Sequence, residues 1–127
     1  MNIERINPYV YAGLSAQKQQ ESRKNKVSSL DVVLDFICDK FETTKEDLRT
    51  RKRSRETHVY PRRMFYYLSR KYTLNSVTKI GLTLRQDHAT VLHSISECKK
   101  DISFIYSEEG KKFAQIEKEF KEKYNLN

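Results

Sequence analysis

Asp87, His88, Ala89 and Thr90 stand directly before apolar residues at helical spacing, Val91, Leu92, Ile95 and Cys98, so a helix starting at Asp87 carries the four in its first turn. Each has chemistry suited to a base-pair edge. A carboxylate accepts from the cytosine amino group, an imidazole bonds a base edge or a phosphate, and the Ala89 methyl matches a thymine methyl. Asp87 is equally suited to cap the helix, and the two roles are geometrically compatible. His88 projects toward Val91 and Leu92, so it is either a reader at the helix tip or a partly buried residue. His93 lies one turn deeper, where it meets base or phosphate.

Upstream runs a cationic strip, RTRKRSR from Arg49 to Arg55. Arg51, Lys52, Arg53 and Arg55 have the composition of an arm that lodges in the minor groove, whose negative potential is strongest over A·T tracts. A loop between helices has little structural need for four cations in five residues. Arg62 and Arg63 open the next apolar segment and are placed to bond phosphate. Tyr60, Tyr66 and Tyr67 either add contacts or belong to the core.

The charge distribution supports a polyanionic partner. Of the 127 residues, 1–43 hold six basic and six acidic side chains, 44–100 hold fourteen and five, and 101–127 hold five and six. The net charge of +8 therefore originates in the middle of the chain, as a focused phosphate-binding face requires. Catalysis has little support: three glycines make no phosphate loop, and no carboxylate pair sits in an apolar setting. His93 and Ser94 are adjacent on a helix and point apart, which argues against a hydrolytic pair. His88 and His93 are five residues apart and fall on different faces, His58 has no ligand-like neighbour, and Cys38 and Cys98 read as buried thiols. No metal, cofactor or nucleotide is expected. No run approaches a membrane span and no signal peptide is evident, so a soluble intracellular protein is expected.

The elements that must position these residues read as all-α. Leu30, Val33, Leu34, Ile37, Cys38 and Phe41 form one stripe behind a capping Ser29, predicting a helix over 30–41. Thr44 and Asp47 have capping spacing for a short helix ending near Arg49. Pro61 suits a first helical position, with Met64, Phe65, Leu68 and Tyr72 facing inward. Asn75 or Ser76 caps a supporting helix in which Val77, Ile80, Gly81 and Leu84 face inward and Gly81 permits a close approach. The stripe from Val91 continues through Ile102 to Ile105, leaving Ala89, Thr90, His93, Ser96, Glu97 and Lys100 opposite. Phe113, Ile116, Phe120 and Tyr124 give a last helix, separated near 107–110. Residues 1–29 are expected to form a mobile arm, in which Pro8–Leu14 docks on the domain or on a partner.

The order RKRSR, PRRM, TKIG, DHATVLH, spanning about Leu30 to Lys100, resembles the C-terminal DNA-binding domain of the bacterial replication initiator DnaA. The resemblance implies a Trp-repressor-like helix-turn-helix that binds duplex DNA at DnaA boxes. It matches Arg53 to a minor-groove arginine, Arg62 to a backbone or minor-groove contact, and Asp87, His88, Ala89 and Thr90 to major-groove readers. Arg85 and Gln86 fall where that family has two glycines and a basic residue, one position shorter, and join the expected DNA-binding set. The family commonly has threonine where Ala89 stands, and one residue is inserted here between Arg53 and Pro61. No counterpart of the initiator's ATPase domain is expected, so the resemblance implies a free-standing reader.

The expected organisation is an arm over 1–29, a DnaA C-terminal-like domain over 30–105, and a packed C-terminal helix over 106–127. The expected protein is a non-enzymatic, sequence-specific double-stranded DNA reader in the bacterial cytoplasm, associated with the nucleoid, regulating replication or transcription. One alternative is a protein-interaction module on a helix-turn-helix scaffold, with Pro8–Leu14 or the last helix as partner surface. Another is the targeting piece of a transposase or nuclease.

Overall fold

The computed structural model describes residues 29–126. They form six α-helices: α1 Leu30–Phe41, α2 Lys45–Leu48, α3 Tyr60–Tyr72, α4 Val77–Thr83, α5 His88–Ser103 and α6 Glu108–Lys123. No strand occurs among the described residues. The expected arm and its Pro8–Leu14 patch lie outside them.

Side chains fix most helix starts by accepting from orphan backbone donors. Ser29 accepts from Asp31 N at 3.0 Å, Thr44 from Asp47 N at 3.1 Å, Ser76 from Lys79 N at 3.2 Å and Ser107 from Gly110 N at 2.9 Å. Ser76, not Asn75, is therefore the cap of α4.

The start of α3 follows a different rule. A π-helical turn, Arg55–Val59, runs directly into it, so α3 begins at Tyr60 and Pro61 sits in its second position. A π-turn holds one more residue than an α-turn between hydrogen-bonded groups. The turn also buries His58, whose Nε2 lies 2.8 Å from Asp47 Oδ2, although neither ring nitrogen makes an aligned hydrogen bond. This corrects the expectation that His58 lacks a ligand-like neighbour.

α3 is the hub, and it is buried on more than one face. Met64, Phe65, Leu68 and Tyr72 point inward as expected, and Tyr66 and Tyr67 are buried as well. α6 closes the far side: Phe113 meets Tyr60 with ring centroids 5.2 Å apart, and Phe120 meets Tyr72 at 5.6 Å. Phe120 also meets Phe36 of α1 at 5.0 Å edge-on, which explains why Phe36 is buried although it lies off the α1 stripe. Glu117 of α6 accepts from the Tyr67 and Tyr72 hydroxyls at 3.0 and 2.5 Å and from Lys71 at 2.7 Å. Cys98 is buried, its Sγ 3.5 Å from Met64 Sδ, and burial pushes its thiol up to about 12. Cys38 is only half-buried.

Two expectations for α5 fail at its surface. Leu92 is 45% exposed, and Ile105 lies past the helix end at Ser103 and is 61% exposed. The helix ends where Asp101 O accepts from Phe104 N at 3.1 Å, and the link to α6 begins there.

Candidate nucleic-acid interface

The turn between α4 and α5 is built by two crossed backbone bonds. Gln86 N donates to Gly81 O at 2.9 Å and Arg85 N donates to Leu82 O at 3.1 Å, the pairing of a Schellman motif. That motif requires a left-handed residue, a position that favours glycine, and here Arg85 fills it with φ 58°. Gly81 is where a side chain would not fit, since a Cβ there would lie 2.6 Å from the Gln86 carbonyl oxygen. Short glycine, tight turn and left-handed arginine together set the angle at which α5 leaves α4.

Asp87 then caps α5, its Oδ1 accepting from Thr90 N at 2.8 Å. Hydrogen bonds from the Thr90 side chain and then its backbone hold the Asp87 carboxyl below the usual carboxylate range, so it is an anion at neutral pH. Asp87, His88, Ala89, Thr90 and His93 are all exposed. Exposure removes the reading of His88 as partly buried. Glu97, also on this face, is paired with Lys100 at 3.2 Å, which offsets its charge.

The basic strip lies across a cleft from α5. Thr50, Arg51 and Arg53 from the strip, Arg62, Arg63 and Tyr66 from α3, and Arg85, Gln86, Thr90, His93 and Ser94 from the turn and α5 line one open concavity of about 430 Å³. Three segments distant in sequence thus bring five arginines and the polar side of α5 together. Asp87, His88 and Ala89 stand at the helix tip beside this cleft. Thr50 and Ser94 were missed as lining residues in the sequence, because neither carries a charge or a period. Tyr66 lines the cleft with a hydroxyl that is buried and lacks a partner, and burial raises its pKa.

The cations are not equivalent. Arg51, Lys52 and Arg53 are exposed, Lys52 reaching within 3.7 Å of Asp47. Arg55 opens the π-turn and donates to the Tyr60 hydroxyl at 3.4 Å, away from the cleft lining. Arg63 faces the cleft with its charge shared by Asp101 at 3.5 Å. Arg62 lines the cleft and is also held by the strip itself. Its Nε, Nη2 and Nη1 donate to the carbonyls of Leu48, Thr50 and Lys52 at 2.8, 2.6 and 2.7 Å. Three of its five donors are therefore turned onto the strip's own backbone, and burial lowers its pKa. Among the described residues no group of three metal-binding side chains occurs, and no helix is long and apolar enough to cross a membrane.

Residues 30–98 match the model of the bacterial DnaA protein helix-turn-helix. The chain is similar to the chromosomal replication initiator protein DnaA of Desulfotalea psychrophila, 39% identical over 71 residues that cover 56% of this chain and 15% of the relative. The DnaA of Desulfatibacillum aliphaticivorans is 36% identical over 80 residues, 63% of this chain and 17% of that protein. That of Thermoanaerobacter sp. is 30% identical over 101 residues, 80% of this chain and 23% of the relative. The chain thus spans less than a quarter of the length of these curated relatives. A matched region of this extent, with the cap, turn and cleft in place, settles the family: the chain belongs to the bacterial DnaA helix-turn-helix family, whose members are built to bind DNA.

Proposed function

We propose that this protein reads double-stranded DNA at DnaA-box-like sites, with the first turn of α5 in the major groove and the strip Arg51–Arg53 in the adjacent minor groove. The observation that carries the reading is the shared concavity: one sugar-phosphate strand separates the two grooves, and the cleft between strip and α5 is lined by arginines that suit it. Asp87, His88, Ala89 and Thr90 supply base contacts, and Arg63, Arg85, Gln86 and His93 supply backbone contacts. Arg55, bound to Tyr60, contributes only to the general field. The biological role that follows is regulation of replication or transcription by occupying such sites.

The test is a binding titration on a DnaA-box duplex and a scrambled duplex across salt concentrations. With about five phosphates neutralised, log affinity falls with log salt at a slope of roughly −4 to −5. A slope near zero, or equal affinity for the two duplexes, overturns the reading.

A second reading has its own observation. Phe104, Ile105 and Tyr106 in the α5–α6 link are 65%, 61% and 90% exposed, a run of apolar side chains of the kind used at protein interfaces. An adaptor role predicts that DNA preference is absent while substitution of this run abolishes association with a protein.

A further inference from the structure

Arg62 of α3 and Arg49 form a scaffold around the cationic strip. The three carbonyls that accept from Arg62 belong to alternate residues, 48, 50 and 52, so the backbone of the strip is wrapped around one guanidinium. From the other side, Arg49 Nε donates to Thr83 O at 2.9 Å, fastening the strip to the end of α4, next to the turn that launches α5. Thr50 completes the fixation, its hydroxyl donating to Asp47 O at 2.7 Å and accepting from Lys52 N at 3.3 Å. The result is a loop rich in like charges that is nevertheless held in one conformation, with Arg51, Lys52 and Arg53 exposed.

We infer that Arg62 is a positioning residue, whose guanidinium fixes the backbone of 48–52 so that Arg51 and Arg53 are held at a set distance from the first turn of α5. This rests on the DNA-reading role proposed above and refines it: the cations of the strip divide into those that hold and those that contact. A planar fork with five donors can serve three carbonyls at once, and a lysine ammonium of the same charge cannot reproduce that geometry. Preorganising the arm removes an ordering cost that a free loop would meet on each binding event.

The experiment compares the wild-type chain with Arg62→Lys and Arg49→Lys, which keep the net charge. In the free protein, hydrogen exchange is followed at the amides of Arg49, Thr50 and Lys52, with the exchange of α3 and α5 as the control for folding. A positioning role accelerates exchange of the strip about tenfold or more while α3 and α5 stay protected. Binding is then measured on the DnaA-box and scrambled duplexes. Preference for the box falls about tenfold, whereas the salt slope stays within about 0.5 because the charge is conserved. Unchanged strip exchange in both variants overturns the inference, whatever DNA does. Unchanged exchange with an equal loss on both duplexes identifies Arg62 as a phosphate contact instead. Should Arg62→Lys unfold α3, Arg49→Lys decides, since it releases the same strip at its α4 end. A wild-type chain with no preference for either duplex sinks the DNA-reading proposal, and the exchange result still stands or falls by itself.

Discussion

Gly81 and Gln86 are locked against each other: the Gln86 amide donates to the Gly81 carbonyl at 2.9 Å, while the Gln86 carbonyl oxygen occupies the space a Gly81 side chain would need. Inside a helix, glycine to alanine ordinarily stabilises by about 1 kcal/mol. Here the added methyl would lie 2.6 Å from a backbone oxygen and 3.0 Å from Val91 Cγ2. Backbone does not give way cheaply, so Gly81→Ala is expected to destabilise by about 1 to 3 kcal/mol. Chemical denaturation checks it, and a stability equal to or above wild type would show that the turn relaxes freely.

Arg85 pulls stability and binding in opposite directions. A left-handed φ of 58° costs a non-glycine residue about 1 to 2 kcal/mol, and glycine returns part of that gain through its freer unfolded state. Arg85→Gly should therefore raise stability by about 0.5 kcal/mol. It should also weaken DNA binding about two- to fivefold and make the salt slope shallower by about 0.9, one phosphate contact. Higher stability with undiminished binding would show that the arginine side chain has no part at the interface.

Asp87 combines two tasks that substitutions can separate. Asp87→Asn keeps a side-chain oxygen to cap Thr90 N and leaves helix content intact. Its amide changes what the tip offers to a base edge, so discrimination at one base pair should fall about tenfold. Asp87→Ala loses the cap as well and adds a fall in melting temperature. Equal loss on every duplex tested with Asp87→Asn would reduce the residue to a cap.

Glu117 sets an acid limit on the attachment of α6. Its burial opposes ionisation, yet bonds from Lys71, Tyr72 and Tyr67 outweigh that and leave its pKa below the ordinary 4.5. A depressed folded pKa means that the contribution is complete above the unfolded value and is lost as pH falls through the folded one. The difference in melting temperature between wild type and Glu117→Gln should thus be constant from pH 7 to about 5 and shrink below about 4.5. A difference that persists unchanged to pH 3 would place the stabilisation in packing alone. Tyr72→Phe, which removes one bond to the charged acceptor, should cost about 1.5 kcal/mol at neutral pH.

What the sequence disclosed follows from which forces leave a periodic trace. Caps and stripes do: Ser29, Thr44 and Asp87 mark their helix starts, and Leu30 to Phe41 marks its own length. Phe36 does not fit the stripe of α1 because α6, from the far end of the chain, covers a second face. His58 reads as an isolated polar residue, and only the π-turn puts it inside against Asp47. Arg62 was legible as a cation but not as a clamp, since its partners are backbone carbonyls, which every residue type carries alike. Leu92 follows the apolar period and still faces outward, because α5 is covered along one narrow side.

The π-turn at Arg55–Val59 has one more consequence. Its widened coil turns the His58 ring inward beside Asp47 of α2, so the segment leaving the clamped strip is anchored to the core before the hub helix begins.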